Sequence, residues 1–287
     1  MNVKRFFIPG SEWLYFKIYT GYKSADNILV DYLLPFMMEF KESHMIDNCF
    51  FIRYADPKFH IRFRIHVNDV FNYGTIYRNF EQMFTPCIDN GLVWNIQCDT
   101  YKRELERYGE MYMNEIERIF CIDSESIIRI IQQMRESATP DEDRWKLSLL
   151  LLDEMLSVFG FDLKEKQLFF KQMSDAFKKE FGLISSVYTK QLNDKFRTNR
   201  KIINDIMVSR DINIEKYKGI LSSRKNDIAV VATAIDYNFD SKSDLMKSLV
   251  HMTMNRVFRS KNRLCELVIY EFLNRYYEST IARLRYS

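Results

Sequence analysis

The chain has 287 residues, 47% hydrophobic and 28% charged, a balance that excludes an intrinsically disordered chain. Its 42 basic and 39 acidic residues leave a net charge of +3, which gives no ground for nucleic-acid binding, and its five scattered cysteines show neither metal-ligand nor redox spacing. No apolar run is long enough for a signal peptide or a bilayer span, so a cytoplasmic protein with reduced thiols is expected.

WLYFKIY, Trp13 to Tyr19, is aromatic and β-branched and predicts a strand that Gly21 ends. A helical pattern starts at Ser24, and Pro35 should kink or restart it. Phe50 to Tyr54 predicts a second strand, Asp56-Pro57 a turn, and His60 to Val67 the returning strand of a hairpin. Val70 to Phe84 predicts a helix and Val93 to Tyr101 another strand.

The rest of the chain reads as helical. Thr139-Pro140-Asp141 carries a helix-start signal and Gly160 a stop. Further helical patterns cover Lys164 to Glu180, Tyr188 to Met207, Ser243 to Phe258 and Asn262 to Arg283, with 209–237 the least legible stretch. The fold class expected is α+β. A single domain is expected, with an antiparallel or mixed sheet in a part of about 1–108 and helices over about 109–287.

No GxGxxG, Walker A, GxSxG or HExxH pattern occurs, so neither a cofactor nor a metal is expected. Three segments carry side chains of interest. In HIRFRIHV, strict alternation sends His60, Arg62, Arg64 and His66 one way and Ile61, Phe63, Ile65 and Val67 the other. On alternation alone that basic face is a solvated or internally paired surface; if functional, it suits carboxylate or phosphate, which guanidinium grips bidentately. A two-residue turn at Pro57-Lys58 would set Arg53 opposite Arg62 on the same face. In TYKRELERYGEMYMNE, a helix would put Arg103 and Arg107 on one side. In LVHMTMNRVF, a helix aligns Lys247, His251 and Asn255 in one polar row. Taken singly, the last two read as a mixed-charge surface helix and a boundary histidine.

Together, and in the order PGSEWLYFKIY, FFIRYADPKFHIRFRI, DTYKRELERYG and HMTMNR, these segments resemble the C-terminal elimination domain of the class I lantibiotic dehydratases. That domain also occurs alone as the thiopeptide-type bacteriocin biosynthesis domain. The resemblance runs from about Pro9 to the last helix, and departs from the family's ERYGG at Glu110. It implies elimination of glutamate from glutamylated Ser or Thr of a ribosomal precursor peptide, leaving dehydroalanine or dehydrobutyrine. It implies His251 in proton transfer, with Arg64 and Arg103 on the glutamyl group and the developing charge. Arg53, Arg62, Arg107 and Asn255 are expected to contact substrate.

The chain begins just before the domain, so the leading expectation is a stand-alone lyase subunit working after a separate tRNA-dependent glutamylating partner. A pyridine-synthase-like cyclase and a non-catalytic peptide-binding scaffold are the alternatives. The partner expected is the precursor peptide, without direct contact to nucleic acid; a homodimer is left open.

Overall fold

The computed structural model describes residues 3–183, 186–209, 211–236 and 239–285. Contacts divide the chain into two compact units, Met1–Glu136 and Ser137–Ser287, each described by itself.

Strands β1 (Phe6–Phe7) and β2 (Trp13–Thr20) open the first unit. Helices α1 (Ser24–Asn27) and α2 (Leu34–Glu42) follow, joined by a π-helical segment over Ile28–Leu33. Pro35 has no N–H to offer the carbonyl one turn back, and the kink expected there takes the form of this widened turn. Then come β3 (Ile46–Tyr54), β4 (His60–Val67), α3 (Tyr73–Asp89), β5 (Val93–Cys98), β6 (Tyr101–Lys102), α4 (Leu105–Tyr108) and α5 (Met113–Glu136).

Four strands form one antiparallel sheet in the order β3-β4-β2-β5, and β1 pairs with β6 as a separate ribbon. One sheet face carries Leu14, Phe16, Ile18, Ile61, Phe63 and Ile65, all buried. Aromatic rings of α2 and α3 close over it: Phe80 stacks on Phe16 at 4.1 Å and Phe36 meets Phe63 edge-on at 6.2 Å. Helix α5 covers the edge strand β3, where Ser124 Oγ accepts from the Phe51 N–H at 3.1 Å and Cys121 Sγ lies 3.4 Å from the Cys49 N–H. Side chains thereby satisfy edge groups that another strand would otherwise template. This packing extends the sheet-containing unit past residue 108 to Glu136.

β3 and β4 are joined by five residues, 55–59, with a cis Asp56–Pro57 peptide. Tyr54 therefore pairs with His60, Ile52 with Arg62 and Phe50 with Arg64. This corrects the placement of Arg53. It pairs with Ile61, on the face opposite the arginine row, and is buried in an ion pair with Asp26 at 2.7 Å. The two-residue turn assumed from Pro57-Lys58 is too short, and every side chain of a strand follows its register.

In the second unit, helices α6 (Arg144–Val158), α7 (Leu163–Glu180), α8 (Ser186–Met207), α9 (Ile212–Glu215), α10 (Lys218–Ala232), α11 (Phe239–Val257) and α12 (Asn262–Arg285) succeed one another. Gly160, at φ 72°, ends α6, and Asp162 starts α7 with a reciprocal capping box to Glu165. The stretch least legible in sequence holds α9 and α10, with Arg210 and Tyr237 outside the described residues. α12 is the central element. Phe170 stacks on Tyr277 at 6.0 Å, Phe177 meets Tyr270 at 5.3 Å and Trp145 meets Phe272 at 5.7 Å. No helix among the described residues is long and apolar enough to cross a membrane.

Candidate active site

The polar sheet face of the first unit gathers side chains from three strands. Register sets Tyr15 and Phe50 on either side of Arg64, Lys17 and Ile52 beside Arg62, and Tyr19 and Tyr54 beside His60. The Arg64 guanidinium carbon lies 4.6 Å from the Tyr15 ring, 5.3 Å from Phe50 and 4.9 Å from Tyr101. Only 8% of Arg64 is exposed, its Nε is buried without a hydrogen-bond partner, and it makes no ion pair among the described residues. The rings supply cation–π attraction, about 2 kcal/mol or more for each well-placed desolvated contact. Yet a buried cation still lacks the counter-charge that usually accompanies it. Such a group has the chemistry to bind an anion.

Arg62 lies half-buried two residues along the same face. Its guanidinium sits 3.4 Å over the Tyr54 ring, and its Nε donates to His60 Nε2 at 3.2 Å. His60 Nδ1 is 2.8 Å from the Lys58 carbonyl, so it carries the proton and the imidazole is neutral. Burial, ahead of the Arg62 charge, lowers the His60 pKa from its ordinary value and favours that form. His66, at the other end of the row, bonds Asp47 at 2.7 Å. Both histidines are thus structural partners on this face.

Arg103 and Arg107 part company. The segment is not one helix: Lys102 ends β6, Arg103 lies between elements, and α4 begins at Leu105. This corrects the shared face expected for the two. Arg107 is half-exposed and pairs with Glu104 at 3.0 Å. Arg103 is buried, with Nε 2.7 Å and Nη2 2.5 Å from the two oxygens of Glu117, Nη2 2.9 Å from Asn114 and Nη1 3.2 Å from the Lys4 carbonyl. Glu117 in turn accepts the Tyr101 hydroxyl at 2.8 Å, and the Tyr101 ring packs on Arg64. Arg103 therefore reaches Arg64 through Glu117 and Tyr101. In ERYGE, Gly109 is the residue with positive φ, 79°, and Glu110 is outside that region, so the departure at 110 introduces no backbone strain.

In the second unit, α11 carries His251 and Asn255, and α12 supplies what the sequence reading missed. His251 Nδ1 lies 3.0 Å from both carboxylate oxygens of Glu266. Glu266 also accepts from the Tyr270 hydroxyl at 3.2 Å and lies 3.5 Å from Arg263 Nη1. Glu266 is fully buried, while 32% of the His251 side chain is exposed. A carboxylate on Nδ1 fixes the proton there and leaves the Nε2 lone pair for chemistry. The Asn255 carbonyl accepts from Asn262 at 3.3 Å, and Lys247 is paired with Asp244. One signal for Glu266 was available: a glutamate and a tyrosine four apart, bracketing the apolar run Leu267 to Ile269.

No cluster of three or more His, Cys, Asp or Glu among the described residues is arranged to hold a metal ion. What the two clusters offer is a basic, partly buried sheet face and an oriented imidazole.

Residues 13–277 match the family described as lantibiotic biosynthesis dehydratase C-term. The nisin biosynthesis protein NisB of Lactococcus lactis subsp. lactis is 28% identical over 279 residues, 95% of this chain and 26% of that protein. The chain thus spans about a quarter of the length of that relative. The crystal structure of the tRNA-dependent lantibiotic dehydratase MibB from Microbispora sp. 107891 superposes with a TM-score of 0.75 at 20% identity, over 96% of this chain and 29% of that one. The pyridine synthase TbtD of thiomuracin biosynthesis has a similar fold, with a TM-score of 0.64 at 11% identity over 96% of this chain and all of that one. The family match covers most of the 287 residues, and the chain belongs to the lantibiotic biosynthesis dehydratase C-terminal family.

Proposed function

We propose that the chain is a lyase that eliminates glutamate from glutamylated Ser or Thr residues of a ribosomally made precursor peptide, the glutamyl ester being supplied by another catalytic domain. The observation that carries this reading is Arg64, a buried guanidinium among three aromatic rings with no ion pair among the described residues. A leaving glutamate brings the anion that this group lacks, and guanidinium binds carboxylate bidentately. Arg62 adds a second positive charge along the strand.

The step needs a base for the weakly acidic α-proton and stabilisation of the enolate that forms. His251 Nε2 takes the proton. The Cα–H electron pair becomes the π bond between Cα and Cβ, the Cβ–O bond breaks, and glutamate leaves as a carboxylate with the Cβ–O electron pair. Glu266 holds the imidazole oriented and stabilises the imidazolium. Arg103 is a positioning residue on this reading: through Glu117 and Tyr101 it fixes a wall of the Arg64 box.

The test is to incubate the chain with a purified glutamylated precursor peptide and follow glutamate loss by mass spectrometry. Conversion to dehydroalanine or dehydrobutyrine is expected; an unchanged mass, under conditions where a known eliminating enzyme works, would overturn the reading. The pyridine-synthase alternative rests on fold likeness alone and predicts ring formation from a bis-dehydroalanine peptide in the same assay.

A further inference from the structure

Chemistry at the basic sheet face and at His251 leaves one built feature of the second unit without a role. A cavity of about 470 Å³ opens among α6, α8 and α12, within the size range of ligand pockets. Trp145, Leu264, Val268 and Phe272 give it an apolar lining. Trp145 is only half-buried and Leu264 is 48% exposed, so the apolar surface is open to a ligand.

Lys195 and Lys261 stand in the same lining, and neither makes an ion pair among the described residues. Of the two lining carboxylates, Asp141 is held by Arg144 at 2.5 Å and Arg259 at 3.5 Å, and Glu142 is exposed. Lys261 has a φ of 56°, in the left-handed region. Glycine would hold that turn at less cost, so the turn alone does not account for a lysine there.

Resting on the elimination reading, we propose that this cavity is a docking subsite for the substrate peptide. It takes an apolar side chain against Trp145 and Phe272 and a neighbouring acidic side chain on Lys195 and Lys261. Of the α12 residues that line it, Leu264, Val268 and Phe272 lie on a different side of the helix from Glu266 and Tyr270, which serve His251. The anchored segment is therefore several residues removed in sequence from the residue being modified.

The experiment uses the full chain and fluorescein-labelled Gly/Ser decapeptides with a central Leu-Glu, Leu-Gln or Gly-Glu pair, read by fluorescence anisotropy. The Leu-Glu peptide is expected to bind about fivefold more tightly than either of the others. Replacing both exposed lysines, Lys195→Gln with Lys261→Gln, should erase the preference for Glu over Gln, and Trp145→Ala should weaken both leucine peptides. Equal binding of all three peptides, or an undiminished Glu preference in the lysine variant, overturns the proposal. Circular dichroism of each variant separates lost binding from lost fold. Anisotropy needs no turnover: glutamate expelled with no peptide preference sinks the subsite alone, and a Glu preference without glutamate loss sinks the elimination reading alone.

Discussion

His251 Nδ1 lies 3.0 Å from both carboxylate oxygens of Glu266, and the glutamate has none of its side chain exposed. α11 and α12 meet here so that one imidazole nitrogen is committed to the protein and the other remains available.

On the elimination reading, His251→Gln lowers glutamate release by about 100-fold or more, the usual contribution of a positioned base. Glu266→Gln should lower kcat while leaving the KM for glutamylated peptide nearly unchanged, because the carboxylate orients the base rather than binding substrate. Steady-state kinetics by mass spectrometry reads the split. A rise in KM alone would assign Glu266 to binding.

Arg64→Met separates function from stability. Methionine fills similar space among Tyr15, Phe50 and Tyr101 and removes a buried, uncompensated charge. Urea unfolding is expected to show unchanged or higher stability, by about 1 kcal/mol, while the glutamylated peptide accumulates. Arg64→Lys keeps the charge without the planar fork and should retain only part of the activity. A large loss of stability in Arg64→Met would mark the guanidinium as structural.

Arg103 should behave in the opposite way. Its removal strands the buried Glu117 carboxylate, so Arg103→Met is expected to cost about 3–5 kcal/mol in urea unfolding. Glu117→Gln in the same chain should recover part of that loss, since no unpaired charge then remains. Elimination should also fall in Arg103→Met, because Glu117, which accepts the Tyr101 hydroxyl, is no longer held in place. Full additivity of the two substitutions would exclude the pairing.

His60 predicts a pH dependence. Its folded-state pKa lies below the ordinary value of about 6.5. The native state therefore binds fewer protons than the unfolded chain between those two values, and stability rises with pH across that window. The contribution is fully present above about pH 6.5 and is lost as pH falls through the lowered value. Urea midpoints of wild type should drop over that range, and those of His60→Gln should drop less. Parallel pH profiles for the two proteins would overturn this.

Much of this molecule can be read locally. The alternation of HIRFRIHV gives β4 and assigns its two faces correctly, because side-chain direction along a strand has period two whatever the strand pairs with. Helices α6, α7, α8, α11 and α12 follow in the same way from 3.6-residue periodicity and from cap signals at Thr139-Pro140-Asp141 and Gly160, whereas α9 and α10 are not legible. Their ends shift by a few residues, as at α8 and α11, where fraying and caps compete.

Partners are another matter. Arg53 and Arg62 look alike in sequence, and five loop residues instead of two put them on opposite faces, one against Asp26 and one over Tyr54. Arg103 and Arg107 look like one helix face, but β6, a two-residue strand paired with β1, ends just before Arg103, which is buried against Glu117, while Arg107 in α4 stays at the surface. Glu266 lies fifteen residues beyond His251, and only the packing of α12 against α11 brings it to the imidazole. Sequence by itself determined most of the strands and helices, which residues of a single strand share a face, and the four segments that carry the family resemblance. Tertiary structure decided which charges are neutralised and which are not, because a guanidinium's surroundings are the groups within a few ångströms of it, and loop length and helix packing bring those groups from elsewhere in the chain.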